Sequence, residues 1–202
     1  MALPNRVDPF GGIQAVPERG LMFGNRGGRF HRDDRTLQPR LWASRQWLCC
    51  VLSFKNRRRA VMGRGYTELF FLDEPTAFAS GHRPCFECRR AAAVRFAGAW
   101  ARAAGLAAPP RAPAMDLMLH AERLDGRAKR TRRCAIDSLP DGAMIALGGE
   151  ALAVKGDALL PWSFSGYGRP RPRPLGEAEL LTPPSIVAVL ATDYDPLWHP
   201  SA

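Results

Sequence analysis

Short apolar runs bounded by turn-forming residues dominate the chain between Leu21 and Leu72, a pattern that predicts β-strands. The clearest run is 47–54, Trp-Leu-Cys-Cys-Val-Leu-Ser-Phe. A basic turn at 55–59 leads from it to a short apolar stretch at 60–62, and glycines 63 and 65 precede a second run at 66–72. Because turns separate consecutive runs, we expect three or four antiparallel strands.

Helical signals begin where these strands end. Asp73 is suited to cap a short helix that ends at Gly81, a second helix is predicted to end near 104, and a third covers 115–124. Further on, apolar runs at 143–147 and 151–154 flank Gly148-Gly149 and predict a hairpin, followed by another run at 158–164. A short helix is predicted at 183–191, with Thr182 as its cap.

These elements predict an α+β fold: an N-terminal antiparallel β-ribbon, central helices, a C-terminal β-hairpin segment and a final short helix. Residues 1–20 contain several glycines and prolines and few bulky side chains, which indicates a flexible tail. We expect a ribbon-plus-helix unit at 21–108 and a helix with the C-terminal β segment at 109–202, packed on the first unit.

Composition narrows the class of protein. The chain has 202 residues, of which 46% are apolar and 24% charged, as in ordinary globular domains. It has neither the roughly 20 consecutive apolar residues of a membrane-spanning helix nor an apolar signal segment at 1–20, so we expect a cytoplasmic protein without a membrane partner. Its five cysteines are an odd number, which argues against a disulfide framework.

Charge gives the first positive indication of function. Lysine and arginine total 29 against 19 acidic residues, a formal net charge of +10, and a basic surface attracts phosphate backbones. An arginine-, alanine- and proline-rich composition is also typical of a GC-rich genome. The basic residues nevertheless cluster at 55–59, 89–90 and 127–133, which favours nucleic acid as the partner.

The sharpest local motif is Gly-His-Arg-Pro-Cys-Phe-Glu-Cys-Arg-Arg at 81–90. Two thiolates three residues apart, at a turn that leads into a helix, can chelate one cation, and sulfur ligands in a reducing compartment favour zinc. Neighbouring arginines lower the pKa of such thiols. Cys85 and Cys88 are therefore candidate zinc ligands, with a redox pair and two buried apolar side chains as the alternatives.

A tetrahedral zinc site requires two more ligands. Cys49 and Cys50 lie on the predicted 47–54 strand, where neighbouring residues point to opposite faces, so only one of them can enter a shared site. We favour Cys50, because its face of the strand is the more apolar. His120 is the candidate fourth ligand.

Residues 66–90 resemble the second half of the zinc-binding module of the Ada family of DNA-repair proteins. A strand ending in aromatic residues, a short alanine-containing helix and Gly-His-Arg-Pro-Cys-x-x-Cys-Arg follow one another in the family's order. The family's first ligand pair is Cys-x-x-x-Cys, whereas this chain has Cys49 and Cys50 side by side. The resemblance implies that Cys85 and Cys88 bind zinc in a small β-ribbon whose face meets DNA.

The expected function is that of a zinc-binding, nucleic-acid-associated protein, most simply contacting DNA in repair or maintenance. The zinc would fix a basic hairpin and a helix terminus against the nucleic acid. The expected contacts are basic side chains near the metal motif: Arg57, Arg58, Arg59, Arg83, Arg89 and Arg90.

Two other functional classes stay open. His120-Ala121-Glu122 and Pro84-Cys85-x-x-Cys88 reproduce, in reversed order, the two halves of the zinc deaminase signature, in which His and two Cys hold zinc and Glu moves protons. This pattern suggests a zinc-dependent hydrolase or nucleobase deaminase. A structural zinc protein that acts in protein–protein interaction is the other alternative.

Overall fold

A computed structural model of the chain describes residues 2–56 and 60–202 and shows an α+β fold. The helices of the described residues are α1 (Glu74–Ala79), α2 (Arg90–Ala103), α3 (Ala112–Arg123) and α4 (Pro184–Leu190). The strands before α2 are β1 (Arg6–Val7), β2 (Ile13–Gln14), β3 (Met22–Arg26), β4 (Trp47–Val51), β5 (Leu69–Phe71) and β6 (Arg83–Pro84). Those after α3 are β7 (Leu124–Asp125), β8 (Ala128–Lys129), β9 (Arg132–Ala135), β10 (Met144–Leu147), β11 (Glu150–Lys155), β12 (Ala158–Ser163), β13 (Gly166–Tyr167), β14 (Arg171–Pro172) and β15 (Glu177–Leu180).

The first sheet carries the candidate site. Its strand order is β2-β1-β5-β3-β4-β6, with β3 antiparallel to both β4 and β5. The predicted run of consecutive antiparallel strands differs from this arrangement in two respects. The parallel pairs β1–β5 and β4–β6 flank the antiparallel centre, and residues 60–62 form no strand.

The N-terminal residues form part of this sheet rather than the expected flexible tail. β1 pairs with both β2 and β5, and the amide of Phe70 donates to the carbonyl of Asn5 at 2.8 Å. Val7 is fully buried in a core cluster with Leu69 and Phe71. A few apolar side chains and an available strand edge are enough to order a glycine- and proline-rich segment.

The second sheet has the strand order β13-β12-β11-β10-β15-β9, with β14 also paired to β12. The predicted hairpin is its centre, since β10 and β11 pair antiparallel from Met144 opposite Ala153 to Leu147 opposite Glu150. Gly148 and Gly149 connect them with φ values of 60° and 84°. Positive φ at both central positions is the geometry that a tight two-residue hairpin loop requires.

The helices have identifiable starts. Asp73 caps α1, as expected, and its carboxylate accepts a hydrogen bond from the amide of Thr76 at 3.0 Å. Thr182 was expected to cap α4, but its hydroxyl accepts a hydrogen bond from Met144, and Pro183 occupies the cap position without a side-chain bond. None of the described helices combines the length and apolar character needed to cross a bilayer.

Helices from distant parts of the chain share one core cluster. Phe96 and Trp100 of α2 pack with Met115 and Leu119 of α3 and with Ile186 of α4. α1, which follows directly after β5, contributes Phe78 to the same cluster and Ala77 to the core under the first sheet. This packing fixes α1 and α2, and the candidate metal ligands Cys85 and Cys88 lie in the segment between these helices.

Candidate metal centre and the adjoining cleft

Three cysteines from separate segments meet at the edge of the first sheet. Cys50 lies on β4, Cys85 directly follows β6, and Cys88 lies in the turn before α2. Their sulfur atoms are all within 4.8 Å of one another. Sulfur atoms around a tetrahedral zinc ion are about 3.8 Å apart when each Zn–S bond is about 2.3 Å. The group could therefore hold a metal ion with little movement.

Backbone hydrogen bonds place Cys85 beside β4. The amide of Cys85 donates to the carbonyl of Cys49 at 3.0 Å, which extends the parallel pairing of β4 and β6 by one residue. The turn then closes, because the amide of Arg89 donates to the carbonyl of Cys85 at 3.0 Å and the amide of Glu87 donates to its sulfur at 3.4 Å. A sulfur that accepts an amide hydrogen bond is stabilised as a thiolate.

The thiols of the group share their protons. Hydrogen bonds from Cys50 and Cys88 lower the pKa of the Cys85 thiol well below its ordinary value. Hydrogen bonding to Cys85 correspondingly raises the pKa of Cys50. One thiolate in such a group opposes ionisation of the other two, because like charges would then lie side by side. A divalent cation would remove that opposition, since metal binding displaces the remaining protons.

Cys49 points away from this group. It is fully buried in the core cluster with Met22, Leu69 and Phe71 on the other face of the sheet, and burial raises the pKa of its thiol. The reason given for preferring Cys50 was therefore wrong. The face of Cys49 is the apolar core, whereas the face of Cys50 is open towards a cleft.

The structure does not bring His120 to the cysteines. Among residues 2–56 and 60–202, the group that could hold a metal ion contains Cys50, Cys85 and Cys88 alone. The His120 ring lies 6.1 Å from that of Trp42, and its Nδ1 is 3.1 Å from the guanidinium of Arg123. Its ring therefore contacts Trp42 and Arg123 and is not part of the cysteine group.

Glu122 has a structural partner as well. Its carboxylate accepts hydrogen bonds from the amide and the hydroxyl of Ser185, at 3.0 and 2.6 Å, in the first turn of α4. Amides of a first helical turn have no partner within the helix, so this carboxylate supplies one. The His120-Ala121-Glu122 half of the deaminase signature consequently belongs to the helix packing and not to the cysteine group.

Two of the arginines expected to contact nucleic acid are used internally. Arg83 is buried, and its Nε and one terminal nitrogen donate to the carboxylate of Asp116, both at 2.8 Å. Arg89 donates to Glu74 at 2.5 Å, in a pair that is almost completely shielded from solvent. These guanidinium groups stabilise the fold, and the expectation that they meet phosphates is corrected. Arg90 is exposed at the start of α2, while Arg57, Arg58 and Arg59 lie outside the described residues.

A cleft of about 510 Å³ adjoins the three cysteines, all of which line it. Its floor is the open face of the first sheet. Phe23 on β3 pairs directly with Cys50 on one side and with Phe70 on the other, and paired residues share a face. Glu68 and Arg19 also line this cleft. A molecule bound here can reach the metal group from the cleft side.

No family model, no curated protein and no solved structure matches this chain. The likeness of residues 66–90 to the Ada module remains a sequence-based expectation. The cysteine group and the cleft do not depend on this likeness, because both follow from the geometry of the chain itself.

Sequence reasoning missed the floor of the cleft. Phe23 and Asn25 lie two residues apart on β3, and Glu68 and Phe70 lie two residues apart at β5. Residues two apart along a strand point to the same face of the sheet, so this spacing was the available signal. The pattern does not tell which face is open, because apolar side chains occupy both faces of β5. Sheet order and the position of α1 decide this.

Proposed function

We propose that this protein holds zinc through Cys50, Cys85 and Cys88 and binds nucleic acid, with DNA repair or maintenance as its setting. The observation that carries the proposal is the meeting of three sulfur atoms within 4.8 Å at the edge of a cleft. Thiolate ligands favour zinc over hard cations such as magnesium or calcium.

Nucleic acid is the partner that the charge supports. The chain has a formal net charge of +10. Arg83 and Arg89 form ion pairs inside the fold. Other arginines are exposed, among them Arg19 at the cleft and Arg90 on α2. A surface with this excess of positive charge binds phosphates through release of counterions.

Elemental analysis and a salt titration test this proposal together. Purified protein should contain one zinc per chain, and Cys85→Ser should abolish bound zinc and lower the thermal midpoint. The affinity of the wild-type protein for DNA should fall steeply as salt is raised. Full retention of zinc and stability by Cys85→Ser would contradict the metal site. Zinc without salt-dependent DNA affinity would instead indicate a structural zinc protein of the protein-interaction class.

A zinc-dependent hydrolase is the second candidate, and one specific observation favours it. Only three protein ligands meet in the described residues, beside a cleft, and catalytic zinc sites combine three protein ligands with a water or substrate. Ammonia release from nucleosides and nucleotides, measured with zinc-loaded protein and with Cys50→Ala, tests this class. Turnover that requires Cys50 supports it, and its absence with every substrate opposes it.

A further inference from the structure

The open face of the first sheet carries aromatic side chains at its centre. Phe23 is partly buried, its ring lies 5.8 Å from that of Phe70 and 6.2 Å from that of Tyr66, and all three line the cleft. Phe70 is 3% exposed, whereas Phe23 is only partly buried, so Phe23 is the ring of this neighbouring pair that a ligand in the cleft can reach. Such rings offer flat surfaces on which nucleobases stack.

Two arginines lie over Phe70, on the side of Phe23 that is opposite to Cys50. The guanidinium carbons of Arg6 and Arg19 lie 5.0 and 4.6 Å from the centre of the Phe70 ring. Burial and the nearby charge of Arg19 lower the pKa of Arg6, and the carboxylate of Glu18 partly offsets them. Arg19 is exposed, and no residue in 2–56 or 60–202 forms an ion pair or hydrogen bond with its side chain. A phosphate beside it would offset its charge.

A buried carboxylate lines the same cleft. Glu68 is 3% exposed, and its Oε2 accepts a hydrogen bond from the amide of Met62 at 2.6 Å. Within residues 2–56 and 60–202, Met62 is the one hydrogen-bond donor to this carboxylate, which leaves Oε1 able to accept from a ligand. A carboxylate oxygen beside aromatic rings is suited to accept a hydrogen bond from the exocyclic amino group of a base, as carboxylates do from cytosine N4.

We propose that the cleft binds an unpaired, amino-bearing base of single-stranded DNA: the base stacks on Phe23, its amino group donates to Glu68, and a neighbouring phosphate lies against Arg19. This inference rests on the proposed nucleic-acid function and specifies the strand and the base. Duplex DNA does not fit the site, because a paired base presents neither its face nor its full amino edge.

Base preference gives the sharpest test. Zinc-loaded protein should bind an oligo(dC) of about eight nucleotides about tenfold more tightly than oligo(dT), which lacks the amino group. Glu68→Gln keeps an acceptor for the Met62 amide but loses the charge. It should reduce the dC-over-dT ratio severalfold. Because the ratio is measured within each protein, a partial loss of folded variant does not alter it.

Stacking and charge are tested separately. Phe23→Leu should weaken binding of both oligonucleotides about tenfold, and Phe10→Leu, a partly exposed phenylalanine outside this cleft, should not. Arg19→Gln should reduce the slope of log affinity against log salt by about 0.7, the value for one phosphate contact on a single strand. Arg95→Gln, an exposed arginine on α2, is the matched control.

The outcomes separate this inference from the function on which it rests. Salt-dependent DNA binding that is equal for duplex and single strand, with no dC preference and no effect of Phe23→Leu, overturns the inference and leaves the proposed function standing. Absence of salt-dependent binding to any DNA overturns both. Zinc content, measured for every variant, confirms that the compared proteins are folded around the metal.

Discussion

Cys49 and Cys50 are adjacent in the sequence, yet their sulfur atoms have different surroundings. Strand geometry directs Cys49 into the core, where its sulfur lies 3.5 Å from the guanidinium of Arg89, and directs Cys50 towards Cys85 and Cys88. Both residues belong to β4, so the two substitutions share the same backbone environment. A difference between their effects therefore reports on the side chains.

Alanine substitutions at these two positions should separate metal binding from packing. Cys50→Ala should lose zinc, because two thiolates are left to hold the ion. Cys49→Ala should keep one zinc per chain and cost about 1 kcal/mol of unfolding free energy through the small cavity it leaves. Elemental analysis and urea denaturation measure the two effects. Zinc loss from Cys49→Ala, or its retention by Cys50→Ala, would reverse the assignment.

At the scale of elements, α1 connects the turn that carries Cys85 and Cys88 to the C-terminal segment. Glu74, in its first turn, accepts hydrogen bonds from Arg89, from the hydroxyl of Tyr194 at 2.9 Å and from the amide of Leu197 at 2.8 Å. Arg89 follows Cys88 directly, so this buried carboxylate helps to fix the turn that presents the ligands. A buried charge whose partner is removed is strongly destabilising.

Glu74→Gln should therefore lower the unfolding free energy by about 3 kcal/mol, since it leaves the Arg89 cation buried without a counter-charge. The matched control is Asp193→Asn, which removes the carboxylate of the exposed pair with Arg102 and should change the unfolding free energy far less. Urea denaturation of the zinc-loaded proteins gives both values. Equal effects of the two substitutions would contradict the role assigned to Glu74.

At the scale of the whole molecule, cations from distant segments converge behind the first sheet. The guanidinium carbons of Arg26 and Arg123 lie 4.1 and 3.9 Å from the centre of the Trp47 ring. The ammonium of Lys129, on β8, is enclosed nearby and donates to the carbonyl of Ala79. Asp8 offsets the charges of Arg26 and Lys129, and Asp116 offsets that of Arg123.

This arrangement makes stability depend on pH. Burial, reinforced by Arg26, lowers the pKa of Lys129 from 10.5 to about 7. Between these values the unfolded chain holds a proton that the folded chain has lost, so the unfolding free energy rises with pH. From about pH 7.5 to 9.5 that of the wild type should rise by about 2 kcal/mol relative to Lys129→Met. Urea denaturation of zinc-saturated protein across this range measures it, and parallel curves would contradict it.

Much of this fold was predictable where a local signal agrees with the tertiary structure. The Asp73 cap, the Gly148-Gly149 hairpin and the helix after the Cys85–Cys88 turn all depend on neighbouring residues. The N-terminal strands and the role of Glu122 were not predictable, because their partners, β5 and Ser185, are distant in the sequence.

For the candidate site, the sequence by itself determined that Cys85 and Cys88 share a turn, since three-residue spacing is a local constraint. It also determined that only one of Cys49 and Cys50 could join them, because side chains alternate along a strand. Only the tertiary structure decided which of the two cysteines joins the group. It also decided that Arg83 and Arg89 pair with carboxylates instead of facing solvent, and that the face of the sheet with Phe23 lines a cleft. These outcomes depend on which elements cover each face of the sheet, and that is settled by contacts between residues far apart in the chain.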